Sequence, residues 1–135
     1  MSAASRATET DGWRPDAKGW ERLFAAIDAR DANTFVSFLT EDGDFRFGNT
    51  PPIVGRPAIR EAVAGFFAAI GGCRHRMLQS WTGPDTAVCE GEVTYTRLDG
   101  SKVTIPFANV FTLRDGRISS YRIYIDNGPL FSPGS

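Results

Sequence analysis

Two carboxylates, Glu90 and Glu92, are separated by one residue within Thr86–Leu98, where apolar and polar residues alternate. Side chains at i and i+2 of a strand lie on the same face, so this spacing predicts that the two carboxylates lie side by side. If that face is enclosed, desolvation and mutual repulsion favour a carboxyl group that can act in general acid/base catalysis. The alternatives are that the face is wet at this point, or that Glu90 is held by Gln79 and Asn109 in a structural network.

Three further side chains could take part in proton transfer. The amide of Asn109 can donate to a developing oxyanion, or it can be a buried amide that is satisfied by Glu90. Tyr121 can be a proton donor or a hydrogen-bonded core tyrosine. His75 is the only histidine, and imidazole exchanges protons near neutral pH, although a lone histidine at the start of a strand is also compatible with a structural role.

The composition excludes several other kinds of site. The 135 residues carry a formal charge of −1, with one histidine and two cysteines. A net charge so close to zero indicates no basic surface that would bind nucleic acid or an anionic membrane. A single histidine excludes zinc sites that are built from two or three histidines. Cys73 and Cys89 form no CxxC pair, and the sequence contains nothing that resembles a signal peptide. We therefore expect a cytoplasmic protein without a metal site, in which any chemistry falls to acid/base side chains that act on a small molecule.

The elements that must position these residues follow from periodicity and turn chemistry. Residues 1–15 are predicted to be a disordered lead, residues 16–131 a single domain, and residues 132–135 a tail. Three helices are expected, the first capped by Asp16, the second over Asp31–Leu39 and the third opened by Gly55-Arg56-Pro57. Phe45–Phe47 reads as a short strand after a turn at Glu41–Asp44. A four-strand antiparallel meander is then expected over Arg74–Trp81, Thr86–Leu98, Lys102–Leu113 and Arg117–Asp126.

The turns predict the register of the meander. We take Pro84-Asp85 and Asp99-Gly100 as two-residue turns and place a bulged turn at Asp115-Gly116. One face then carries the rows Gln79–Glu90–Asn109–Tyr121, Met77–Glu92–Phe107–Ile123 and His75–Thr94–Ile105–Ile125. This face is expected to meet the helices, so that its polar residues line an enclosed space. The opposite face, which resembles an interface, carries Arg76, Leu78, Val93, Tyr95, Ala108, Val110, Arg122 and Tyr124.

An apolar wall is expected around the enclosed space. Most of its candidates are also explained as ordinary core residues. The candidates for substrate contact are Trp20, Phe24, Phe45, Phe47, Phe66, Met77, Gln79, Trp81, Phe107, Phe111 and Ile123.

Several segments resemble one known family. The segments are Phe38–Asp42, Val54–Ile59, Val110–Ile118 and Tyr121–Asp126, and the resemblance extends over residues 17–130. They are similar to the SnoaL-like branch of the nuclear transport factor 2-like superfamily. The resemblance implies an α+β class with a cone-shaped, cystatin-like barrel, in which three N-terminal helices pack on a curved, mainly antiparallel sheet.

The superfamily includes ketosteroid isomerase, limonene epoxide hydrolase, polyketide cyclases and scytalone dehydratase, together with non-enzymatic binding modules. Asn109 matches the position of the oxyanion-hole aspartate of ketosteroid isomerase, whereas Arg46 stands where the isomerase has its base. SnoaL-type cyclases use an Asp/His pair, whose positions the sequence leaves unassigned. The resemblance implies a cofactor-free isomerase, dehydratase or cyclase that forms a homodimer through the outer sheet face. The alternative is a non-catalytic ligand-binding or dimeric interaction module.

Overall fold

The computed structural model describes residues 12–131, which form an α+β fold, as the sequence predicts. The four helices are α1 (Ala17–Asp28), α2 (Ala32–Ser37), α3 (Arg56–Ala68) and α4 (Gly128–Phe131). The six strands are β1 (Leu39–Phe47), β2 (Ile53–Val54), β3 (Gly72–Thr82), β4 (Thr86–Thr96), β5 (Lys102–Arg114) and β6 (Arg117–Ile125). They form one curved sheet in the order β2-β1-β6-β5-β4-β3, in which only β1 and β6 are parallel. The edge strands β2 and β3 do not pair, so the sheet does not close into a full barrel.

The helices begin at the expected residues. Asp16 caps α1, because its carboxylate accepts a hydrogen bond from the backbone N–H of Gly19 at 2.8 Å. Asp31 caps α2 in the same way through Thr34 at 3.1 Å. α2 is shorter than predicted, and Glu41–Asp44 is part of β1 rather than a turn, because a register shift between Leu39 and Asp44 absorbs these residues into the strand.

Ordered structure starts before Asp16. Trp13 falls in the segment predicted to be a disordered lead, yet only 2% of its surface is exposed. Its backbone N–H donates to Gly116 O and its ring Nε1 donates to Gly19 O, both at 2.8 Å. The ring packs edge-on against Trp20 and Phe111, with centroid distances of 5.0 and 5.5 Å. The rest of the predicted lead, residues 1–11, and the predicted tail, residues 132–135, lie outside the described residues.

The connection between β4 and β5 overturns the predicted register. Asp99 Oδ1 accepts hydrogen bonds from the N–H and hydroxyl of Ser101, and Gly100 adopts a φ of +91°, so that Leu98, Asp99 and Gly100 form a three-residue loop. Arg97 therefore faces Ser101, and Asn109 pairs with Cys89 instead of Glu90. A slip of one residue moves every side chain of a strand to the other face. The prediction that Glu90 and Glu92 face the helices is therefore wrong, and Val93 and Tyr95 point inward in their place.

A bulge in β3 keeps the part of the strand before Leu78 in its predicted orientation. Gln79 pairs with Glu90 as predicted, but Met77 pairs with Gly91 and His75 with Val93, because Leu78 is an extra residue on β3. His75 and Met77 thus share the inner face with Ile105 and Phe107. Gln79 and Trp81 fall on the outer face, contrary to the prediction that they contact a substrate. The last hairpin is offset by two residues from the predicted pairing, which leaves Asn109 and Tyr121 on the inner face.

Gly91 permits this bulge. A Cβ at this position would collide with the carbonyl oxygen of Arg76 and approach Met77 Cα to 3.0 Å. We expect Gly91→Ala to lower the free energy of unfolding by about 2–3 kcal/mol, since overpacking against backbone forces a backbone shift. Urea denaturation checks this. Gly65→Ala, in α3, is the control, because nothing lies within 4 Å of a Cβ built there. An equal response of the two variants would contradict the role given to Gly91.

No helix among residues 12–131 is both long enough and apolar enough to span a bilayer, the longest being the 13 residues of α3.

Candidate functional site

A cavity of about 240 Å³ lies between the inner face of the sheet and helices α1, α2 and α3. Its wall is mostly aromatic and aliphatic. Thr50 and Ala62 are the exposed residues of this wall, so the mouth lies between the β1–β2 loop and α3. The cavity is lined by Ile27, Phe35, Phe45, Phe47, Thr50, Ile53, Ala62, Val63, Phe66, Phe67, Cys73, His75, Val93, Tyr95, Phe107, Asn109, Tyr121, Ile123 and Ile125.

A hydrogen-bonded carboxylate–imidazole pair stands at the cavity wall. Nδ1 of His75 lies 2.6 Å from Oδ1 of Asp28, and the backbone N–H of His75 donates to Oδ2 of the same carboxylate at 3.0 Å. The Asp28 carboxylate therefore fixes both the ring and the main chain of His75. Its contact with Nδ1 favours the tautomer in which Nδ1 carries the proton and Nε2 has a free lone pair. No described residue forms a hydrogen bond with Nε2.

Aromatic rings enclose the imidazole. Phe24 stacks on the His75 ring at 5.0 Å with an interplanar angle of 18°, and Phe107 meets it edge-on at 5.3 Å. The His75 side chain is 11% exposed and that of Asp28 is 28% exposed. An imidazole held in this way has little rotational freedom and little contact with bulk water, which suits directed proton transfer.

Asp28 was not among the residues predicted from the sequence. It is the last residue of α1 and follows Phe24 by one helical turn, so it continues the apolar stripe of Trp20 and Phe24. A carboxylate in the last turn of a helix is unfavourable for the helix dipole. An acidic residue that extends an apolar stripe at this position is the sequence signal that could have identified it.

Neutral polar groups line the rest of the cavity. Burial raises the pKa of the Tyr121 phenol, and the neighbouring Cys89 and Tyr95 add to the effect. Burial also raises the pKa of Tyr95, with further contributions from Cys73 and Asp28. Both phenols therefore keep their protons and can donate hydrogen bonds. Asn109 is 2% exposed, and its Oδ1 has no hydrogen-bond partner among the described residues.

Cys73 lies beside the pair. Burial and the charge of Asp28 raise the pKa of the Cys73 thiol to about 12, so it is protonated and unreactive as a nucleophile at neutral pH. The thiol lies 3.5 Å from the carbonyl oxygen of Ile27. Oxygen, sulfur and nitrogen atoms of Asp28, Cys73 and His75 all lie within 4.8 Å of one another, so these three side chains are also candidate metal ligands.

The structure separates the predicted site residues into three groups. The predicted catalytic residues His75, Asn109 and Tyr121, and the predicted wall residues Phe45, Phe47, Phe66, Phe107 and Ile123, line the cavity. Core positions outside the lining are taken by Trp20, Phe24, Met77 and Phe111. The outer face carries Glu90, Glu92, Gln79 and Trp81. Glu92 forms an ion pair there with Arg76 at 3.1 Å, so neither carboxylate can reach a molecule in the cavity.

The fold is shared with several solved structures. TerC, co-crystallised with polyporic acid, is 22% identical with a TM-score of 0.74, over 87% of this chain and 96% of TerC. A proposed polyketide cyclase from Xanthomonas campestris pv. campestris is 17% identical with a TM-score of 0.75, over 97% and 98% of the two chains. An NTF2-like protein from Anabaena variabilis is 24% identical with a TM-score of 0.72, over 81% and 84%. These identities establish the fold and not the activity.

No curated protein matches the chain. The model of the SnoaL-like domain matches residues 20–121, which include most of α1, the whole of β3 and β4, and all the polar residues of the cavity. The chain therefore belongs to the SnoaL-like domain family.

Proposed function

We propose that this protein is an acid/base enzyme of the isomerase, dehydratase or cyclase type, which needs no cofactor for proton transfer. Its substrate is a small, largely apolar molecule that bears a carbonyl or hydroxyl group. The observation that carries the proposal is the Asp28–His75 pair, with an N···O distance of 2.6 Å, at the wall of an aromatic cavity.

The pair supplies the base. Nε2 of His75 accepts a proton from the carbon next to a carbonyl, and the electron pair of the broken C–H bond moves to the carbonyl oxygen. The Asp28 carboxylate stabilises the imidazolium that forms. Return of the proton to another carbon gives isomerisation, whereas its transfer to a departing hydroxyl gives dehydration. Asp28 and His75 thus take the role that the sequence suggested for Glu90 and Glu92.

Hydrogen-bond donors support the developing charge. Tyr95 and Tyr121 line the cavity with neutral phenols, and Asn109 lines it with its side-chain amide. Donors that face an enolate oxygen in an enclosed site stabilise the transition state more than the ground state. The roles predicted for Asn109 and Tyr121 are therefore kept in the proposal, with Tyr95 added.

Hydrogen–deuterium exchange tests the proposal without knowledge of the natural product. The protein is treated with EDTA and incubated in D2O with a panel of cyclic and aromatic ketones, and NMR measures exchange next to the carbonyl. Polyporic acid, with which TerC was crystallised, is a separate probe of binding by thermal shift. Protein-dependent exchange supports the enzyme. Ligand binding without exchange would instead support the non-catalytic binding module.

The outer face of the sheet is proposed as a homodimer interface. Trp81 and Tyr124 lie on this face with 47% and 55% of their surfaces exposed, around the paired Val88 and Val110. Large aromatic residues of this kind are enriched at protein interfaces. A second copy presenting the same face would remove both rings from water.

Trp81→Glu is expected to shift the protein from dimer to monomer, because the substitution places a charge within the apolar contact. Size-exclusion chromatography with light scattering measures the mass. Leu98→Glu is the control, since Leu98 is 72% exposed in the β4–β5 loop. A wild-type monomer, or a dimer that survives Trp81→Glu, would contradict this interface.

A further inference from the structure

A carboxylate, a thiol and an imidazole converge at one side of the cavity. β3 supplies Cys73 and His75 at i and i+2, so both point to the inner face, and the end of α1 supplies Asp28. Their oxygen, sulfur and nitrogen atoms all lie within 4.8 Å of one another, and all three residues are half-buried. Among residues 12–131 no other group of three or more acidic, cysteine or histidine residues converges in this way.

The donor set suits one chemical class of cation. Imidazole nitrogen, thiolate sulfur and carboxylate oxygen are together the ligands of Zn²⁺ and of similar divalent transition ions. Three protein ligands with an open fourth position are typical of zinc sites that exchange a water or another small ligand. Cys73 and His75 both line the cavity, so the cavity provides space for that fourth ligand.

We propose that Asp28, Cys73 and His75 form a binding site for Zn²⁺ or a similar divalent transition ion, with the fourth coordination position open to the cavity. Binding itself does not depend on the proposed enzymatic function. A consequence that does rest on the proposed function is that the bound ion inhibits proton transfer, because it engages the groups that would move the proton.

The Asp28–His75 contact requires only a small adjustment to accept an ion. Two ligands of a tetrahedral Zn²⁺ with bonds of about 2.0–2.1 Å lie about 3.3 Å apart. Nδ1 of His75 and Oδ1 of Asp28 are 2.6 Å apart, a hydrogen-bond distance, so they must separate by a fraction of an ångström. Oδ2 can keep its hydrogen bond with the His75 backbone N–H while Oδ1 turns to the ion.

Protons balance in this step. The thiol proton of Cys73 leaves to solvent as sulfur binds the ion, and the imidazole proton moves from Nδ1, which binds the metal, to Nε2. A thiolate beside the Asp28 carboxylate is unfavourable without a cation, because the two negative charges repel each other. A divalent ion supplies the missing positive charge.

Co²⁺ is the probe for this site, because thiolate ligation gives a sulfur-to-cobalt charge-transfer band and tetrahedral ligation gives visible d–d bands. The full-length protein, titrated with Co²⁺ without any substrate, is expected to show both, and Zn²⁺ is expected to displace them. Cys73→Ser should abolish the sulfur band and weaken Zn²⁺ binding by about tenfold or more, since loss of a residue that merely supports a ligand costs about 10–100-fold.

Cys89→Ser is the matched control, because Cys89 is the other cysteine and lies on β4 beside Asn109, outside the cluster. It should leave the cobalt spectrum unchanged. Circular dichroism checks that the variants fold. If Cys73→Ser does not fold, His75→Gln is used in its place. His75→Gln is expected to weaken Zn²⁺ binding while sulfur ligation persists. No sulfur band in the wild type, or a band that survives Cys73→Ser, would overturn the site. Ketone exchange in EDTA is scored separately, so each proposal can fail alone.

Discussion

Replacing His75 with glutamine is expected to reduce ketone proton exchange by about 10²–10⁴-fold, the usual contribution of a positioned general base. Glutamine can still donate a hydrogen bond to Asp28 but cannot accept a proton from substrate at neutral pH. Asp28→Asn should also slow exchange strongly, because an amide cannot stabilise the imidazolium. Initial exchange rates at equal ligand occupancy measure the loss, and circular dichroism confirms that both variants fold.

Glu92→Gln is the control for these variants. It removes a carboxylate that pairs with Arg76 on the outer face, away from the cavity. The rate of exchange should therefore remain within about twofold of the wild type, because surface ion pairs contribute little to stability. The opposite pattern, slow exchange in Glu92→Gln and normal exchange in His75→Gln, would reject the assignment of the base to His75.

Trp13→Ala is expected to lower the free energy of unfolding by about 3–5 kcal/mol, the range for deleting a large buried aromatic side chain. Trp13 is 2% exposed, closes one side of the cluster formed with Trp20 and Phe111, and has a satisfied ring N–H. Its removal leaves a void between α1 and β5, and the edge-to-face contacts of the rings are lost. Urea denaturation followed by circular dichroism gives the difference.

Leu98→Ala is the control for Trp13→Ala. Leu98 is a large apolar residue that is 72% exposed, so its truncation should change the unfolding free energy by no more than about 0.5 kcal/mol. A Trp13→Ala variant as stable as Leu98→Ala would show that the segment before α1 adds nothing to the core.

The fold class followed from local signals that act over a few residues. Asp16 and Asp31 cap helices, and apolar residues recur every three or four positions in α1. Which side chains of β4 point inward could not be predicted in this way. That depends on whether the loop at Asp99-Gly100 contains two residues or three. A hydrogen bond between Asp99 and Ser101 decides between them, and the sequence motif alone permits both.

The site was predictable only in part. The predicted inner-face positions of Asn109, Tyr121 and His75 agree with the structure. For His75 the agreement depends on the bulge at Leu78, which compensates for the one-residue error in the predicted register of β4. Asp28 lies 47 residues before His75 in the chain, and contact between them needs α1 docked against β3. Periodicity within either element carries no information about that docking.

The hydrogen bond from the His75 backbone to Asp28 also matters for the behaviour of this protein in concentrated solution. β3 is an edge strand, and edge strands offer unpaired N–H groups to which a strand of another molecule can add. The Asp28 carboxylate occupies one of these positions with a negative charge and an ordered hydrogen bond. The carboxylate that holds His75 thus also blocks one position on the open edge of the sheet against intermolecular strand pairing.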